Sequence, residues 1–278
     1  MSINFHKLTR NTTGADFTSC SAMLIGRRIR HLPEVTSTND LLKAEAEAGI
    51  AQPGEILITE HQTAGRGRLD RIWESPPGKS LLFSILLRPE IHGLKLQLMG
   101  LLVSLGILEG LTDYLGENES HPNRLIQALR LKWPNDVMVG KRKLCGILSD
   151  AGQDNRGRSF VVVGVGININ QSSADFPGAL RNIATSLYIM TGQEHDRVSI
   201  FGSLLRNIDR HYERLIREGD GWIPLIWLKR SGLAGTQVGC TDSGRTIRGK
   251  CRGINPDGAI ELEMPNGAIR TIYSGDFS

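Results

Sequence analysis

Cysteine is scarce. The chain has four in 278 residues, Cys20, Cys145, Cys240 and Cys251, and no two form a CxxC pair. That excludes a disulfide-dense secreted scaffold and a zinc site built from close ligand pairs, and fits reduced thiols in a reducing compartment. An excess of one charge is also missing. Lys plus Arg number 33 and Asp plus Glu 29, a formal net charge of +4, too balanced and too dispersed for a nucleic-acid footprint. No run approaches 18 apolar residues free of charge, so no membrane-spanning helix is expected, and the N-terminus lacks a signal-peptide core.

Several catalytic signatures are absent as well. There is no HExxH or GxSxG, and the seven histidines do not cluster, so zinc hydrolysis and serine-hydrolase chemistry have no support. The Gly78-Lys79-Ser80 sequence resembles the end of a phosphate loop, but Trp73 stands where that loop needs its first glycine. Gly164 and Gly166 follow a strand, yet Ile169 takes the place of the third glycine of a dinucleotide fingerprint. What remains, with 40% hydrophobic and 22% charged residues, is the composition of an ordinary soluble domain, and a cytoplasmic location is expected.

Residues 1–25, rich in Thr, Ser and Asn, carry no clear period and read as an N-terminal extension, partly disordered. They leave no room for a helix-turn-helix before Ser37. Strands are expected over 28–35, 55–60, 80–88, 128–132, 137–139, 143–149 and 160–169. Helices are expected over 38–48, 94–115, 199–216 and 222–229, and a loop at 121–124. From Gly235 the pattern becomes short strands with Gly turns, which predicts a small all-β barrel. Strands and helices are segregated rather than alternating, which favours α+β.

Two segments carry chemistry. Gly65-Arg66-Gly67-Arg68-Leu69-Asp70-Arg71-Ile72-Trp73 sets three arginines among glycines and ends on an aromatic. Arginine forks match phosphate or carboxylate, glycine lets a loop close over a ligand, and tryptophan covers a ring. Lys132-Trp133-Pro134-Asn135-Asp136 presents an amide and a carboxylate at a turn. A hairpin at Gly140 would return Lys143 beside them, where an ammonium can hold a carboxylate or phosphate against its reaction partner.

These segments, with KRKLCGIL, VVVGVGININ, Ser37-Thr38-Asn39 and Ala184-Thr185-Ser186-Leu187, resemble the biotin–protein ligases in order and spacing, from about Arg28 to the C-terminus. The resemblance implies a mixed-sheet catalytic domain related to lipoate ligases, over 26–232, and an SH3-like barrel over 233–278. It implies ATP-dependent activation of biotin to biotinyl-5′-AMP with release of pyrophosphate, assisted by Mg²⁺. Biotin then passes to one lysine of an apo biotin carboxyl carrier protein, a subunit of acetyl-CoA carboxylase.

It also implies roles for particular residues. Ser37, Thr38 and Gln62 would reach the biotin ureido ring, and Gly65, Arg66 and Arg68 would order over the ligand. Gly146, Gly164 and Gly166 would line the biotin slot. Lys143 would contact the biotin carboxyl and the α-phosphate, and Lys143, Arg68 and Asp136 are the catalytic candidates. Arg66, Arg68, Arg71, Trp73, Asn135, Asn168 and Arg252 would meet ATP or the adenylate. No resident metal site is expected. Leu69 and Asp70 depart from relatives that are basic or Gly there. Without an N-terminal winged helix the expected protein is a monofunctional ligase, monomer or homodimer, that binds neither DNA nor membrane.

Overall fold

The computed structural model describes residues 23–89, 95, 97–119, 122–242 and 245–277. Most of the expected N-terminal extension lies outside these residues. Its last three positions are packed rather than loose: the Asp209 carboxylate accepts from the Leu24 and Ile25 amides at 2.9 and 2.8 Å, and Ile25 is fully buried.

Seven strands form the main sheet: β1 Ile29–Val35, β2 Ile56–Gln62, β3 Ser80–Leu87, β4 Leu129–Lys132, β5 Asp136–Val139, β6 Arg142–Gln153 and β7 Ser159–Asn168. Their order is β1-β2-β3-β7-β6-β5-β4. β1 and β2 run parallel, and the remaining neighbours are antiparallel. This is the expected mixed α+β sheet.

The two faces follow from strand alternation. Ile56 and Ile58 of β2, with Leu81, Phe83, Ile85 and Leu87 of β3, point into the larger core beneath helices α2 (Leu98–Asn118) and α5 (Arg197–Glu218). Leu57, Leu86 and Val162 point the other way, against Leu42 and Ala46 of helix α1 (Thr38–Glu47). Ser37 caps α1, its hydroxyl accepting from the Asp40 amide, and Gly49 follows the helix end with φ +76°. α1 covers only part of its face. Along β7 the same side runs from Val162 and Gly164 under the helix to Gly166 and Asn168 beyond it, and that stretch becomes a cavity floor.

α2 is long and apolar enough to cross a membrane by length and composition, but most of it is buried here as the core helix. It packs closely on α5 because Gly106 and Gly110 face it. A Cβ on them would lie 2.7 Å from Ile208 Cα and 2.8 Å from Leu204 Cα. Of the segment expected as a loop at 121–124, residue 121 lies outside the described residues and 122–124 begin helix α3 (Pro122–Ala128), where proline's fixed φ suits a first turn. Helix α4 (Leu187–Thr191) and 3₁₀ turns at Ser173–Asp175 and Gly178–Leu180 were too short to show a period.

After helix α6 (Trp222–Ser231) comes a second, antiparallel sheet of five strands. These are β8 Gln237–Asp242, β9 Arg245–Ile254, β10 Ile260–Glu263, β11 Ile269–Ile272 and β12 Asp276–Phe277, in the order β11-β10-β9-β8-β12. Val238, Ile247, Ile260 and Leu262 join the larger core. The Trp133 indole N–H donates to the Gly258 carbonyl at 3.0 Å, tying the Trp-Pro turn to this sheet.

Candidate active site

A cavity of about 200 Å³ opens where α1 leaves the sheet uncovered. One end is neutral and buried. Gln62 Oε1 accepts from the Thr38 amide at 2.8 Å and the Thr38 hydroxyl at 3.0 Å. Behind them the Ser84 hydroxyl lies 2.8 Å from both Thr38 Oγ1 and Asn39 Oδ1. The Asn39 amide donates to the Asp150 carboxylate at 2.9 Å and to the Leu148 carbonyl at 3.3 Å. A Cβ on Gly164 would collide with Asn39, so only glycine lets this side chain lie flat on β7.

The floor is a saddle without side chains. Gly146 of β6 and Gly166 of β7 are register partners. The Trp73 indole rests on both: a Cβ on Gly166 would lie 2.5 Å from Trp73 Cε2, and one on Gly146 2.8 Å from Cζ3. Trp73 Nε1 is buried there with no hydrogen-bond partner.

The other end is cationic. Lys143 Nζ lies 2.8 Å from Asp136 Oδ1, as the Gly140 hairpin predicts, and 5.7 Å from the Trp73 ring centre. A β-bulge sets this lysine. Val137 pairs with Cys145 and Met138 with Lys143, so Leu144 is the extra residue. The Lys143 backbone is held from outside, its N–H donating to the Ile183 carbonyl at 2.7 Å and its carbonyl accepting from the Thr185 N–H at 2.9 Å. The Thr185 carbonyl in turn accepts from the Asn168 amide at 2.9 Å, so one peptide segment braces two cavity residues. Burial pushes the neighbouring Cys145 thiol well above its usual range, which makes it inert.

The Gly-Arg segment is a small hairpin. Trp73 N–H donates to the Gly65 carbonyl and Gly67 N–H to the Arg71 carbonyl, at 2.9 and 2.7 Å. Leu69 and Asp70 form its tip with φ of +54° and +57°, the left-handed pair of a type I′ turn. Relatives with Gly at these departures would meet that geometry without strain. Arg66 pairs with Asp40 at 2.9 Å and with Asp150 at 2.6 Å, and Arg68 donates to Asn135 Oδ1 at 3.3 Å.

All the expected site residues line this cavity except Gly65 and Arg252. Gly65 instead lets the hairpin arms meet, since a Cβ there would strike the Trp73 carbonyl. Arg252 is exposed on β9, 3.3 Å from Glu263, and borders neither this cavity nor the next one described. A second cavity of about 290 Å³ lies between the Trp-Pro turn and the second sheet, and Asp257, Gly258 and Tyr273 line it there. Sequence reasoning gave no role to Asn39, Ser84, Thr185, Asp40 or Asp150. Ser84 had a signal, as a polar residue inside the apolar run SLLFSILL, whereas Thr185 acts through its backbone, which no residue pattern reveals.

A profile of the Biotin/lipoate A/B protein ligase family matches residues 32–168, and one of the Biotin protein ligase C terminal domain matches residues 235–278. The "Bifunctional ligase/repressor BirA" of Bacillus spizizenii is 33% identical over 244 residues, 87% of this chain and 71% of that one. The chain belongs to the biotin/lipoate ligase family. Another member, the "Biotin--[acetyl-CoA-carboxylase] ligase" of Mycobacterium tuberculosis, is 30% identical over 256 residues, 90% of this chain and 88% of that one. Among solved members, the biotin protein ligase of Aquifex aeolicus in complex with biotin and ATP superposes with a TM-score of 0.74 at 30% identity, covering 91% of this chain and 98% of that one.

Proposed function

We propose that this chain is an ATP-dependent biotin–[acetyl-CoA-carboxylase] ligase that works in two steps. In the first, a carboxylate oxygen of biotin attacks the α-phosphorus of ATP, the bond to the β-phosphate oxygen breaks, and pyrophosphate leaves. In the second, the amine of a carrier-protein lysine attacks the acyl carbon of biotinyl-5′-AMP. It loses a proton as the amide forms, and AMP departs. Family membership supports the ligase assignment, and the placement of Lys143 supports the steps. Its ammonium lines one cavity with neutral hydrogen-bonding groups suited to an uncharged ring and with an arginine hairpin suited to phosphates.

In this reading Thr38 and Gln62 hold the ureido ring, with Ser37 beside them, and Gly146, Gly164 and Gly166 let biotin approach the sheet. Lys143 bridges the biotin carboxylate and the α-phosphate, where it offsets charge that builds in the transition state. Asp136 fixes that ammonium. Arg66, Arg68 and Arg71 reduce the repulsion between two anions that must meet, while Asn135 and Asn168 face the nucleotide. Trp73, now lying on the glycine saddle, moves to cover the adenylate.

Among the described residues no three Asp, Glu, His or Cys side chains gather to hold an ion. A Mg²⁺ would arrive on the triphosphate and screen phosphate charge there, with Asp136 as the carboxylate able to meet it. We also place the protein in the cytoplasm, and we infer that it does not read DNA, because basic side chains such as Arg30, Arg88 and Arg197 are paired with carboxylates.

The deciding experiment is mass spectrometry of an apo carrier domain incubated with the protein, biotin, ATP and Mg²⁺. A gain of one biotin on one lysine is expected. Binding of biotin without any mass gain would reduce the chain to a binding module.

A further inference from the structure

We propose that Asp150 is a positioning residue that latches the arginine hairpin to the neutral end of the cavity. Neither Asp150 nor its companion Asp40 is part of the cavity wall among the described residues, so any effect on ligand must pass through the residues they hold. One oxygen of Asp150, Oδ2, accepts from two groups. It takes Arg66 Nη2 at 2.6 Å from the hairpin and Asn39 Nδ2 at 2.9 Å from α1. Asn39 is buried, and its other amide contacts go to Ser84 and to the Leu148 carbonyl, so its position leaves little play. The second nitrogen of Arg66, Nη1, reaches Asp40 in the first turn of the same helix at 2.9 Å.

An isolated exposed ion pair would matter little. Here one guanidinium spans two carboxylates, one on helix α1 and one on strand β6, and the charge-assisted contact to Asp150 is short. The hairpin that carries Arg68 and Trp73 is therefore tied to the side chains that stand beside Thr38 and Gln62. Binding at the neutral end and closure of the hairpin become linked through a single oxygen atom. The inference rests on the ligase reading for its kinetic arm only.

The test compares wild type, Asp150→Asn and Asp150→Glu by hydrogen exchange of residues 65–73 in the ligand-free protein and by biotin-dependent ATP–pyrophosphate exchange. Asp150→Asn is expected to speed hairpin exchange about tenfold and to raise the KM for biotin about tenfold, with kcat within about twofold. Asp150→Glu, which keeps the charge, should recover most of both. Arg66→Ala, which also loses the Asp40 pair, should release the hairpin at least as much, and the double variant should show hairpin exchange no faster than Arg66→Ala alone.

Unchanged hairpin exchange in Asp150→Asn or in Arg66→Ala overturns the latch. So does a strictly additive double variant, and so does Asp150→Glu failing like Asp150→Asn. If Asp150→Asn does not fold, the Arg66→Ala exchange result decides alone. Wild-type protein without pyrophosphate exchange would sink the ligase reading instead, and the hairpin exchange would still judge the latch.

Discussion

The two ends of the cavity are built on opposite physical plans. At the neutral end Thr38, Asn39 and Ser84 are buried, and each polar atom has a protein partner before any ligand arrives. At the cationic end Lys143 is 36% exposed and is held by a carboxylate. A buried, satisfied network is costly to disturb and so holds one geometry, which suits recognition of an uncharged ring. Exposed charges are cheap to rearrange, which suits groups that must follow phosphates through a reaction. On the proposed function, selectivity falls to the first end and chemistry to the second.

The largest expected effect comes from breaking the cationic end alone. Lys143→Ala should cost about 3 kcal/mol in the transition state, on the order of a hundredfold in pyrophosphate exchange. Biotin should still protect the protein against heat, because the neutral end is intact. Comparable exchange by the variant would remove Lys143 from the chemistry.

Breaking the neutral end should look different. Gln62→Ala strands the Thr38 amide and hydroxyl, at about 1–3 kcal/mol. Calorimetry should show biotin affinity lower by roughly tenfold or more, with kcat at saturating biotin largely kept. A fall in kcat with unchanged affinity would erase the distinction between the ends.

The saddle between them is tested by Gly166→Ala. Its methyl group takes space now filled by Trp73, so the indole must leave, and overpacking of this kind costs about 1–3 kcal/mol. Tryptophan fluorescence of the ligand-free variant should shift toward that of a solvated indole. An unchanged spectrum would mean that Trp73 does not lie on the glycines in solution.

Smaller effects are expected away from the ligand. Asp70→Gly removes a left-handed non-glycine residue from the hairpin tip, and should slow hairpin opening by a factor matching about 1 kcal/mol or less. Faster exchange would contradict the I′ turn.

On the helical layer, Glu109 accepts from His211 and Arg210 and pairs with Arg230. The His211 hydrogen bond, set against the cost of burial, leads in drawing its carboxyl from about 4.5 down to about 2. A depressed carboxylate stabilises the fold fully above its ordinary pKa, and the gain is lost as pH falls from about 4.5 toward 2. Thermal melts of Glu109→Gln should lack that part of the acid loss. An identical acid profile would exclude the cluster as its source.

Much of this was legible in residue order. The return of Lys143 to Asp136 followed from Gly140, and the apolar runs at 55–60 and 80–88 gave the strands β2 and β3. Short helices were not legible, because five residues such as Leu187–Thr191 complete too little of a 3.6-residue period. Nor was the latch, since Asp150 and Arg66 stand 84 positions apart, Asp150 alone reads as a solvated surface charge, and Arg66 reads as a ligand contact. Arg252 shows the reverse limit: the family resemblance alone marked it, and its contact in the fold is with Glu263.

The bracing of Lys143 by Thr185 bears on how the protein is made. Synthesis runs from the N-terminus, so the arginine hairpin, the turn at Asn135 and Lys143 itself leave the ribosome well before residue 185. Until that residue arrives, the outer backbone edge of Lys143 has no partner strand and Asn168 has no carbonyl to anchor it. The amides of Leu24 and Ile25 wait longer still, for Asp209. A half-made chain therefore holds the reactive side chains without the frame that aligns them. On the proposed function, formation of the mixed anhydride would await a chain whose helical layer has emerged and docked.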